Sequence, residues 1–170
     1  MDLGGDGIKN ASKLFQQAAW TYENLLSACS QLPPGQSSVD FNKETLTMNS
    51  NLCLAQAQYL FFKKASDANM APRILAKVAA QVSIYFQKAF ECNQVNQQLR
   101  AYQSGTFANV LGYHSKYFMA QAYLNLTKAQ FEAADKAGKG MGLAAAYGKI
   151  TMAEFEKARP FVNILGGAYK

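Results

Sequence analysis

Charge is scarce in this chain. Asp, Glu, Lys and Arg make up 16% of its 170 residues against 49% hydrophobic, a balance that excludes an intrinsically disordered segment. Long apolar runs are missing too: none approaches the roughly 18 residues of a membrane span. The opening MDLGGDGIKN has neither the basic region nor the apolar run of a secretory signal, so a soluble, cytosolic chain is expected. Cysteine is limited to Cys29, Cys53 and Cys92. Their odd number and lack of metal-ligand spacing exclude a disulfide framework or a zinc site, and buried free thiols are expected instead. His114 is the only histidine and Trp20 the only tryptophan. The first reads as a partly buried, hydrogen-bonded core neighbour, the second as a packing anchor. No segment alternates apolar and polar residues as a half-buried strand does.

Helical periodicity runs through the rest. A helix is predicted from about Ile8 to Ser30, after a frayed, glycine-rich start, and Pro33 ends it. Asn42 is placed to cap a second helix that continues to about Ala65, with Glu44 in its first turn. A third follows a polar turn at 66–69, capped by Asn69 and tolerating Pro72 in its first turn, and ends near Cys92. Residues 93–104 read as a loop with a short helical piece. A long helix spans Gly105 to Lys136. Gly138, Gly140 and Gly142 then break the pattern before a last helix from about Leu143 to Arg159, expected to stop at Pro160. The final two helices are rich in alanine and resemble a tetratricopeptide hairpin. The expected fold is one all-α domain over 1–170, an antiparallel helical array with tetratricopeptide-like pairs.

The centre of the chain is NLCLAQAQYLFFKKASDANMAPRILAKVAAQVSIYFQKAF, Asn51 to Phe90. Its first helix is apolar on nearly every side, which calls for helices around it. In the second, Leu75, Ala79, Val82, Phe86 and Phe90 form the core stripe. Ile74, Val78 and Tyr85 fall on its flank, beside Gln81 and Lys88. Such surplus apolar positions either meet another helix of the domain or wait for a partner.

LCLAQAQYLFFKKA followed by RILAKVAAQVSIYFQKAF resembles the central signature of the BRO domain family of endosomal-sorting scaffolds. A weaker similarity extends to GIKNASKLFQQAAWTYENL and to Asp40 through Leu46. The resemblance implies the helical middle of a longer domain, without the family's opening strands and closing segment. It also implies a docking surface for the C-terminal amphipathic helix of an ESCRT-III subunit, on the positions held here by Phe61, Ile74 and Val78. Val78 stands where the family usually has leucine. The family's acidic contact residue has no match, since Asp6 is out of register.

Catalysis finds no support. His114 has no recognisable partner set for general base work or zinc. Gly138 to Gly142 lacks the GxxxxGK pattern and the preceding strand of a phosphate loop. No carboxylate pair can be argued into one pocket, and neither a metal nor a cofactor is expected. The net charge of +6 is scattered, with no block of five like charges. The aromatics Phe61, Phe62, Tyr85, Phe86, Phe90, Phe118 and Phe131 sit mostly within apolar stripes, so nucleic-acid stacking is not expected. The expectation is a non-enzymatic docking module, cytoplasmic and peripheral to endosomal membrane, with a modest pull toward anionic lipid. The alternatives are a tetratricopeptide-like adaptor with its groove between the last two helices near Lys128 and Lys149, and a BRO-family signalling scaffold in ambient-pH sensing or attached to a phosphatase.

Overall fold

A computed structural model describes residues 5–31, 33, 38–102 and 105–165. Among the described residues six α-helices follow one another: α1 (Gly5–Cys29), α2 (Lys43–Asp67), α3 (Pro72–Val95), the short α4 (Gln97–Tyr102), α5 (Gly105–Ala137) and α6 (Met141–Leu165). A 3-10 turn, Val39–Phe41, precedes α2, and no strand occurs among the described residues. The fold is all-α. Successive long helices pack as antiparallel neighbours: α1 on α2, α2 on α3, α3 on α5, α5 on α6. The register is fixed by pairs such as Ser12 with Ala57, Glu23 with Ser50, Met48 with Asn93, and Ser83 with Ser115.

Local chemistry sets the breaks. Asn42 Oδ1 accepts the Thr45 amide at 2.8 Å, and the Thr45 hydroxyl donates to the Val39 carbonyl at 2.6 Å. Together they fix the start of α2 by satisfying a donor that has no helical acceptor. The cap expected from Asn69 is not made. Asn69 has φ 48°, the left-handed conformation that asparagine tolerates better than most residues, so it closes α2 rather than opening α3. Ala71 stands at the head of α3 with no side-chain cap, and Pro72 supplies the preset φ of the first turn.

The core centres on α3. Val82, Phe86 and Ala89 are buried against Met48 and Ala55 of α2, Leu99 of α4, and Leu111 and Phe118 of α5. Phe118 is the hub of the ring contacts. It meets Tyr59 and Phe62 edge-on, both at 5.7 Å, and Phe86 face to face at 6.1 Å.

Three further expectations are corrected. The helix begins at Gly5, so the fraying expected through Gly7 does not reach Gly5–Gly7; residues 1–4 lie outside the described set. Trp20 is 67% exposed, not an anchor. Its neighbour Ala19 takes the buried position, and α1 has only α2 beside it among the long helices, which leaves the opposite face of α1 to solvent. Finally, α6 continues through Pro160 to Leu165. A mid-helix proline removes one backbone bond, at a cost of ~3 kcal/mol. Phe161 helps offset it by packing edge-on against Phe90 at 6.0 Å and lying over Gly112.

That last contact makes a prediction. A Cβ on Gly112 would sit 2.5 Å from the Phe161 ring. Gly112→Ala is therefore expected to lower stability by about 1–3 kcal/mol through overpacking, read as a lower urea midpoint. Gly112→Ala combined with Phe161→Leu should recover part of the loss.

Candidate functional site

Two faces of the α2–α3 pair differ in what covers them. On α2, Tyr59 and Phe62 turn toward Phe118 of α5, while Ala57 meets α1 through the Ser12 hydroxyl. Phe61 is one turn beyond Ala57 and lies away from the α5 side. On α3, Phe86 and Ser83 turn toward α5, and Ile74, Val78, Gln81 and Tyr85 follow the opposite flank at i, i+4, i+7 and i+11. Leu54, Gln58, Phe61 and Ala65 repeat that spacing on α2. In the antiparallel register the two stripes run side by side, away from α5.

Phe61 is 48% exposed and Ile74 42% exposed. Val78, Tyr85 and Leu54 are half-buried. The surface is a shallow apolar strip with no ionised side chain in either stripe, bordered on α3 by exposed Lys77 and Lys88. Leu54 and Gln58 were not singled out from the sequence, although Leu54 stands seven residues before Phe61 and so on the same helical face. Phe131, expected within an apolar stripe, is instead 56% exposed.

On the other side of the pair is a cleft of about 500 Å³ between α2 and α5. Phe86 of α3 forms its floor, with Tyr59 and Phe62 on one wall and Tyr113, His114 and Tyr117 on the other. His114 stacks on Phe86 at 4.9 Å, and burial lowers its pKa below the ordinary 6.5. Its stability contribution follows from that direction. The unfolded chain takes up the proton first as pH falls, so stability present above pH ~6.5 declines as pH drops through 6.5 toward the folded value. The urea midpoint is expected to fall between neutral and mildly acid pH. Because this is the only histidine in the chain, His114→Phe should flatten that part of the profile.

The three cysteines are free and half-buried rather than fully buried. Burial raises the thiol pKa of Cys53 and Cys92, which disfavours the reactive thiolate. Among the described residues no group of three His, Cys, Asp or Glu side chains could hold a metal, and no helix is long and apolar enough to cross a membrane.

The BRO1-like domain model matches residues 3–163. ALG-2 interacting protein X of Dictyostelium discoideum is 40% identical over 81 residues, 48% of this chain and 10% of the relative. Human tyrosine-protein phosphatase non-receptor type 23 is 30% identical over 145 residues, 79% of this chain and 8% of that protein. The chain thus spans about a tenth of the length of these curated relatives. A solved complex of the ALIX BRO1 domain with CHMP4C superposes with a TM-score of 0.68 at 24% identity, covering 96% of this chain and 42% of the solved one. By the extent of the family match, this chain belongs to the BRO1-like domain family.

Proposed function

We propose that this BRO1-like unit is a docking module that takes the C-terminal amphipathic helix of an ESCRT-III subunit along the strip formed by α2 and α3, at the surface of the endosomal membrane. The observation that carries the reading is the solvent exposure of Phe61 and Ile74, with Val78 between them on one face. An amphipathic helix presents apolar anchors at the same i, i+3/i+4, i+7 spacing and gains affinity by desolvating them against such a strip. Lys77 and Lys88 at the border favour acidic residues on the flanks of that helix. The CHMP4C bound to the structurally similar ALIX domain supports a partner of this class.

A fluorescence-polarisation titration with the labelled C-terminal helix of CHMP4C tests the proposal. Saturable binding with a Kd on the order of micromolar, weakened by raised salt, is expected. A folded chain that leaves the label unbound would remove the ESCRT-III assignment.

A further inference from the structure

The strip on α2 and α3 is not apolar from end to end. Met48 of α2 stands opposite Asn93 of α3 and fixes the antiparallel register. In that register Ala65 and Phe61 run alongside Ile74 and Val78 at one end of the strip. Leu54 runs alongside Tyr85 at the other, seven residues and about 10 Å beyond Phe61 and Val78. Between these two apolar patches lie Gln58 and Gln81, one from each helix and both half-buried. Neither amide is hydrogen-bonded by another group among the described residues. Gln87, on the α5 side of α3, is the contrast: it accepts from Ser115 and Lys116 and donates to Glu91. From this placement we infer that Gln58 and Gln81 form a register lock. They select an amphipathic helix that carries one Asn or Gln within its apolar stripe, and they set where along the strip that helix sits. This selectivity presupposes the docking role proposed above and names the chemistry of the helix that the strip takes.

The physical reason is the asymmetry between a hydrogen bond made and one lost. While the strip is open, water serves both amides. A helix laid along it excludes that water, and a leucine placed over the pair leaves buried donors and acceptors unsatisfied, which costs more than a new hydrogen bond gains. A side-chain amide brings both a donor and an acceptor, so it can pair with the two glutamines at once. A carboxylate or ammonium would lose its hydration there and find no counter-ion in either stripe. Sliding the bound helix by one turn would put its amide on an apolar patch and a leucine on the glutamines, so the slip is penalised twice. A single asparagine in a coiled-coil seam fixes register in the same way, with some loss of stability. The spacing of Ile74, Val78, Gln81 and Tyr85 carries over to the partner as four stripe positions at i, i+4, i+7 and i+11. The amide is third when the partner runs parallel to α3 and second when it runs antiparallel.

Three fluorescein-labelled helical peptides of about 18 residues, with Ala, Glu and Lys outside the stripe, are titrated with the full chain. One carries Leu at all four stripe positions; the others carry Gln at the second or at the third. One of the two Gln peptides should bind saturably and at least tenfold tighter than the all-Leu peptide, roughly the effect of unsatisfied amides. Which one does so gives the direction of the bound helix. In a chain with Gln58→Leu and Gln81→Leu together the order should reverse, and either substitution alone should narrow the preference, with circular dichroism showing the variants folded. Ile74→Asp should weaken all three peptides alike, because it leaves the amide pair untouched. The register lock is overturned if the all-Leu peptide binds the parent chain as tightly as both Gln peptides, if the folded double variant keeps the parent's order, or if no peptide binds by ~1 mM. The labelled CHMP4C helix, titrated beside them, tells this failure from that of the docking role. If it binds under any of these outcomes, the strip stands without the lock; if it does not, both are removed.

Discussion

Ile74→Asp is expected to weaken binding of the labelled ESCRT-III helix by about a hundredfold, ~2.7 kcal/mol, while the thermal midpoint stays close to that of the parent chain. The two effects separate because of where Ile74 sits. At 42% exposed, its side chain contributes little to the core, and surface substitutions usually stay within about 0.5 kcal/mol. In the complex the same position is desolvated, and a carboxylate there loses both the apolar contact and its own hydration. Val78→Asp should lose as much affinity. Because Val78 is half-buried, that variant should also melt several degrees lower while retaining its helical circular dichroism. Wild-type affinity in Ile74→Asp would move the docking surface elsewhere on the chain.

Much of this arrangement was legible in the sequence, for reasons local to each residue. Asn42 as a cap, Pro72 in a first turn and the glycines after Ala137 are short-range signals, and each acts within a turn of its own position. The α3 stripe was equally readable, since a helix fixes which residues share a face. What escaped was decided by neighbours far away in sequence. Trp20 is exposed because, among the described residues, α2 is the one long helix packed closely on α1, and no property of its own stretch reveals that. Pro160 is tolerated because Phe161 finds Phe90 and Gly112, partners tens of residues distant. The flank residues Ile74, Val78 and Tyr85 could be separated from the core stripe by angle alone, but whether another helix covers them depends on the order in which helices stack. The aromatic cleft was invisible for the same reason. Tyr59, Phe86 and His114 come together only when α2 and α5 flank α3, and His114 read alone is an ordinary core neighbour.

The stacking order also predicts the largest loss of stability. Phe118 is buried and touches rings from α2, from α3 and from its own helix, so it ties together three helices that are otherwise paired in sequence. Phe118→Ala should cost about 3–5 kcal/mol, the transfer term plus the cavity left behind. For a domain with a total stability of roughly 5–15 kcal/mol, that is a large share. Phe131 lies on the same helix but is 56% exposed, and Phe131→Ala should shift stability by no more than about 0.5 kcal/mol. Urea denaturation of the two variants side by side measures the difference, with the slope of the transition expected to change in neither. Equal losses would mean that α5 does not present Phe118 inward. The cleft between α2 and α5 would then lack the ring against which Tyr59 and Phe62 pack.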